Sequence, residues 1–182
     1  AMEKFKSDGR IKSIGITALG DIDAINEVVL SDCFDVAQIY YNLLNPSASF
    51  SSPGKWNDHN FSNLIKNCES KDMGLMNIRI YAAGYLATDK RHGREIPITF
   101  GINETELNKR VEKINLIMRD IQGTKAQKAL RYGLSNDDMS TIVVGLAEIS
   151  HLEEALEGYE LGSLDEEILR KIDELQKNNF FN

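Results

Sequence analysis

Four polar side chains interrupt otherwise apolar runs. Thr17 closes GRIKSIGITAL (9–19), Gln38 sits inside FDVAQIYYNLLNP (34–46), and Asn77 and Arg79 lie in GLMNIRI (74–80). Short apolar runs bounded by turn formers are the signature of strands buried on both faces, as in parallel sheets. A polar side chain in such a strand costs free energy unless it is hydrogen-bonded. Gln38 poses the question most sharply, because its amide must be satisfied by a neighbouring strand or loop, or by something bound. Arg79 likewise either pairs with a neighbouring carboxylate or meets a ligand. Tyr40 and Tyr81 read first as core aromatics.

The elements that position these residues alternate regularly. Behind Asp21, a good N-cap, Ile22, Ile25, Val28 and Val29 recur at helical spacing. The loop 47–58, rich in Ser, Pro and Gly, has a composition that rarely packs. Phe61, Leu64, Ile65 and Cys68 mark one face of a second helix before the 74–80 strand. Asn103-x-x-Glu106 has capping-box spacing and opens a long helix with the stripe Leu107, Val111, Ile114, Met118 and Ile121. Thr124 caps a helix ending near Gly133, TIVVG (141–145) is a fourth strand, and a helix carrying Leu152, Ala155 and Leu156 follows it. Ser163-x-x-Glu166 then caps a last helix built on Ile168, Ile172 and Leu175. Strand then helix, four times over, implies one α/β domain over 1–182 with a parallel sheet and right-handed crossovers. In such folds sites lie at the carboxyl ends of the strands, which gathers Thr17, Gln38, Tyr40, Asn77, Arg79 and the Gly145–Glu148 turn. That turn feeds a helix N-terminus, whose free N–H groups suit an anion.

Composition narrows the function classes. A net charge of −7 and a pI near 5.0 argue against a nucleic-acid or anionic-membrane surface, which needs a basic face. No apolar run approaches the ~20 residues that span a bilayer, and no signal segment opens the chain, so a cytoplasmic protein is expected. Ala1 before Met2 reads as a residue left by an expression tag. Cys33 and Cys68 are expected as free thiols, with no metal-ligand spacing. His59, His92 and His151 are scattered and read as surface residues. The basic cluster Lys90, Arg91, His92, Arg94 is either a solvated loop or a cover over a phosphate-bearing ligand.

The order GRIKSIGITAL, helix, FDVAQIYYNLLNPSA, together with IYAAGYL (80–86) and STIVVGLAEISHLEEAL (140–156), resembles the aldo/keto reductases. The likeness runs over nearly the whole chain. It implies a nicotinamide-cofactor site across the strand ends. By that resemblance Gln38 matches the glutamine that hydrogen-bonds the nicotinamide carboxamide, Thr17 a serine with the same task, and Ala18 an asparagine that assists it. The tyrosine that stacks on the nicotinamide ring matches Ile78, and the serine after it matches Arg79. At the nucleotide end the family's Lys-Ser pair and following Arg read Gly145, Leu146 and His151, and its Glu-Asn pair reads Glu154-Ala155. These departures put recognition of a 2′-phosphate in doubt and leave NAD or NADP on a weak or partial site.

The resemblance covers only strand–helix units five to eight of an eight-unit barrel. The implied fold is therefore a parallel (β/α) half barrel, the C-terminal half of a TIM (β/α)8 barrel, which needs about 250 residues in full. The family's Asp, Tyr, Lys and His tetrad belongs to the other half, so no catalytic residue is assigned. The expected activity is an NAD(P)-dependent oxidoreductase that works with a separate N-terminal half barrel. The alternative is a self-associating half barrel without catalysis, a homo-oligomer that hides its open face and sheet edges. Either way the isolated chain should show no carbonyl reduction, because no general acid is assigned to protonate the developing alkoxide. Aldehyde-dependent oxidation of NADH or NADPH, abolished by Tyr→Phe at Tyr40, Tyr41 or Tyr81, would contradict this.

Overall fold

A computed structural model describes residues 1–50, 56, 58–90 and 102–181. The basic cluster at 90–94 lies outside the described residues beyond Lys90, as does most of the 47–58 loop after Phe50. The sheet has four parallel strands in chain order: β1 (Gly15–Ala18), β2 (Val36–Tyr40), β3 (Gly74–Ile78) and β4 (Thr141–Ile142). Helices α1 (Met2–Ser7), α2 (Ile22–Val29), α3 (Leu64–Glu69), α4 (Glu104–Ile117), α5 (Lys125–Leu134), α6 (Ile149–Glu160) and α7 (Glu166–Lys177) complete the order. Helix α1 is not anticipated by the hydrophobic pattern, and none of its residues is buried.

Side chains alternate across the pleat, and the two faces differ. Ala18, Ala37, Ile39, Leu75 and Asn77 face the helices and are fully buried. Gly15, Thr17, Val36, Gln38, Met76, Ile78 and Thr141 occupy the other face and are half-buried or exposed. The expectation of a strand buried on both faces is thus corrected, because the described helices pack on one side only.

Local signals explain the element ends. Asp21 accepts from the N–H groups of Asp23 and Ala24, and Asn103 from that of Glu106. Thr124 and Gln127 form a reciprocal capping box. Ser163 does not cap α7: its N-cap is Asp165, and the Ser163 hydroxyl bonds to the Leu134 carbonyl, tying α7 to the end of α5. Gly158 lets α6 pack closely on α5, since a Cβ there would stand 3.1–3.2 Å from Gln127.

The run from Tyr41 to Ala48 is not strand, yet it is entirely buried. Its buried backbone is tolerable because two amides serve it. Asn42 Oδ1 accepts from the N–H of Leu44 and Asn45, and Asn45 Oδ1 accepts from the N–H and hydroxyl of Ser47. The expectation that Ser-Pro-rich sequence here stays unpacked fails at Ser47 and Ala48 for this reason. Arg110 anchors the other flank. Its guanidinium, 1% exposed, lies over the Phe180 ring and 3.7 Å from the Asp58 carboxylate, and donates to Asn179.

Asn77 is the exception to this economy. It is fully buried against Gly133 and Ile142, and among the described residues neither amide atom has a hydrogen-bond partner. It points at the helices, which corrects the expectation that it belongs with the site. An unsatisfied buried polar group costs about 1–3 kcal/mol. Asn77→Leu, of similar shape, should raise stability by about 1 kcal/mol, read as a higher urea midpoint with the same slope; an unchanged or lower midpoint would contradict it.

Candidate functional site

The polar residues at the strand ends divide into those on the open face and those that leave it. Thr17 and Gln38 are register partners on β1 and β2, and the Thr17 hydroxyl donates to Gln38 Oε1 at 2.9 Å. The neighbouring strand therefore supplies one partner for the amide, while Gln38 Nε2 keeps its two N–H donors unbound among the described residues. Gln38 is half-buried and Thr17 exposed, so this donor pair faces outward from the sheet rather than into a core. Ile78 lies on the same face one step further toward the carboxyl ends, beside Tyr40 in register.

Arg79 does not make the carboxylate pair that is one of its two expected readings: it is exposed, makes no ion pair among the described residues, and sits in the left-handed region at φ 62°. Its backbone ends the strand and its carbonyl accepts from Asn42 Nδ2 at 3.0 Å, which ties the β2 and β3 rims together. Ile80, next along, turns to the helix side and packs with Leu130 and Ala155.

The last turn is open. Gly145 and Leu146 are exposed, and nothing lies within 4 Å of where a Gly145 Cβ would stand, so no close contact demands glycine there. His151 is exposed and its Nδ1 accepts from the Ala147 N–H at 3.4 Å, bracing the turn onto the first turn of α6. Glu148 is the N-cap of α6 and provides no side-chain cap, leaving the helix N–H groups there without a side-chain acceptor. Glu154 does not reach this turn through its carboxylate: Thr124 donates its hydroxyl to Glu154 Oε1 at 2.6 Å, joining α6 to the N-terminus of α5.

One residue at the rim has no sequence signal. His59 is half-buried, and its Nε2 lies 2.6 Å from the carbonyl of Gly20, just beyond β1. Its ring packs on Phe61, which stacks on Tyr40. The His59 clasp therefore ties the segment after β2 to the loop after β1. Among the described residues no cluster of His, Cys, Asp and Glu could hold a metal ion, and no helix is long and apolar enough to cross a membrane.

Two phenols near this rim, Tyr81 and Tyr41, are held toward the neutral form. Burial, and then the Glu154 carboxylate, push the Tyr81 phenol from its usual 10 to about 12. Burial likewise raises Tyr41. A phenol held protonated in the fold and freer to ionise when unfolded stabilises the protein fully below pH 10, and that contribution is lost as pH climbs to 12. Tyr81→Phe should flatten the stability loss measured by urea unfolding between pH 10 and 12; superimposable wild-type and variant curves would contradict the assignment.

The model of the aldo/keto reductase family matches residues 1–177. No curated protein matches the sequence. Among solved structures, the holo form of aldo-keto reductase AKR11C1 from Bacillus halodurans superposes with a TM-score of 0.68 at 17% identity, over 95% of this chain and 53% of that one. An aldo-keto reductase from Klebsiella pneumoniae in complex with NADPH superposes with a TM-score of 0.62 at 17% identity, over 97% and 52%. These likenesses establish a shared fold, and the chain spans about half the length of the structures it matches.

Proposed function

The chain belongs to the aldo/keto reductase family, and from that premise we propose that it is the cofactor-holding half of an NAD(P)-dependent oxidoreductase, a C-terminal half barrel that lacks the catalytic tetrad. The observation that carries the reading is the Thr17–Gln38 pair. Thr17 fixes the amide by its oxygen, which leaves the Gln38 N–H donors on the open face at the carboxyl end of the sheet. A carboxamide carbonyl is a matching acceptor. Ile78 offers an apolar surface beside that position for a planar ring, and the open turn at Gly145 and Leu146 with the α6 N-terminus receives the pyrophosphate end.

The residues fit the nicotinamide end better than they fit a 2′-phosphate. Between Thr141 and Glu160 there is no Lys or Arg, only His151 among five glutamates, and the Glu154 carboxylate is engaged with Thr124. A phosphate dianion needs cationic donors. Bound cofactor would give hydride to a carbonyl or take it from an alcohol; this chain's residues orient the carboxamide, and the matching proton transfer, to the alkoxide or from the alcohol, falls to another half barrel. A carbonyl or a sugar-like alcohol is the substrate class.

Calorimetric titration tests this. NADH should bind, weakly, and more tightly than NADPH at low salt. Gln38→Leu should weaken NADH binding at least several-fold without lowering the melting temperature. Absence of NADH binding, or tighter binding of NADPH, would overturn the reading.

A further inference from the structure

The two ends of the sheet carry surfaces that none of the described residues covers. Of the large apolar residues exposed among the described ones, half fall between 143 and 159: Val143, Leu146, Ile149, Leu152, Leu156 and Tyr159. The last four recur at helical spacing along α6, adjoining the seam where Ala155 and Gly158 meet α5. Ile149 is 78% exposed, Leu156 57% and Tyr159 62%. They follow β4 in the chain, and its outer edge pairs with no other strand among the described residues, while α6 is held beside β4 by Ala155, which packs with Ile142 and Val144. Contiguous surfaces of this kind mark interaction sites.

At the opposite end β1 has an edge that pairs with no other strand among the described residues, and the segment leading into it exposes Met2 and Phe5. The charges of the two ends are opposite. The β4–α6 stretch carries Glu148, Glu153, Glu154, Glu157 and Glu160 with no Lys or Arg, whereas residues 1–12 carry Lys4, Lys6, Arg10 and Lys12 against Glu3 and Asp8.

We infer that the β4 edge and the α6 stripe form a docking surface whose occupant is the β1 end of a second copy of this chain. The pairing is head to tail: β4 of one copy lies beside β1 of the other, all strands parallel, with Leu156 and Tyr159 against the partner's Met2 and Phe5. Such non-equivalent contacts generate open filaments unless the rotation closes. Four strands per copy, and a chain covering 53% of a homologous-fold structure, close the ring at two copies and eight strands. Closure also encloses the open face, where Val36 and Met76 become interior side chains, while Ile78, the last residue of β3, stays at the carboxyl-end mouth. A ring of two copies leaves no edge for a separate N-terminal half, so a dimer would replace that part of the proposed function and leave the Gln38 cofactor reading standing; titration tests the one and association the other.

Light scattering on the full chain at about 100 µM tests it, well above a micromolar dissociation constant. The wild type should have twice the 20.5 kDa chain mass. Leu156→Glu with Tyr159→Glu should halve it, as should Lys4→Glu with Phe5→Glu, while Phe181→Glu, exposed on another face, should leave it unchanged. Circular dichroism melts confirm that each variant is folded. Mixing the two defective variants restores one of the two interfaces, so part of the mixture should recover the dimer mass. A monomeric wild type, dimers that survive both double substitutions, or folded variants whose mixture stays wholly monomeric would each overturn the inference. A dimer lost in the Leu156→Glu/Tyr159→Glu variant but kept in the Lys4→Glu/Phe5→Glu variant would overturn it as well, and would point to equivalent α6–α6 pairing instead.

Discussion

A parallel sheet needs cover on both faces, and here the described helices cover one. The rest of the structure depends on that asymmetry. Ala37, Ile39 and Leu75 on the helix side are fully buried in a common core with Val29, Leu64 and Ile114. The alternate residues of the same strands are half-buried or exposed, apart from Tyr40, which is covered by Phe61. Gln38 illustrates the consequence: in a sheet covered on both sides its amide would be a buried cost, whereas on a bare face it is half-hydrated and retains free donors. The same bareness makes the strand ends accessible to a flat ligand and makes the sheet edges adhesive.

Much of the architecture was legible in the chain. The N-caps at Asp21, Asn103 and Thr124 were plain from residue type and spacing, and all three form. The order of strands and helices followed from alternating apolar runs, because crossover geometry leaves few alternatives. What failed, failed for identifiable reasons. Phe34–Pro46 read as a single long strand because Tyr41, Leu43 and Leu44 are as buried as strand residues. Burial there comes from the Asn42 and Asn45 amides replacing a ladder, and composition does not distinguish the two. Ser163 has capping-box spacing, yet its hydroxyl has a competing acceptor at Leu134 that only the fold brings near.

The site was legible in type more than in geometry. Thr17 and Gln38 were singled out as polar residues in apolar runs, and parallel register brings them together at 2.9 Å. Asn77 and Arg79 carried the same signal and proved different. Asn77 points to the opposite face, as alternation requires of a residue one position before Ile78, and Arg79 ends the strand in a left-handed turn that no residue type announces. His59 offered no signal, because its partner, the Gly20 carbonyl, is a backbone atom 39 residues away.

The central claim is that the Gln38 amide on the open face reads the nicotinamide end of the cofactor. The chain has four glutamines, Gln38, Gln122, Gln127 and Gln176, so glutamine-selective nitrogen labelling isolates their side-chain NH₂ resonances. Gln127 and Gln176 are buried and bonded to Glu157 and Leu43, which makes them internal controls. On titration with NADH the Gln38 NH₂ signals should move progressively and saturate while those of Gln127 and Gln176 stay still. An unmoved Gln38 at NADH concentrations that shift other resonances of the protein would contradict the account.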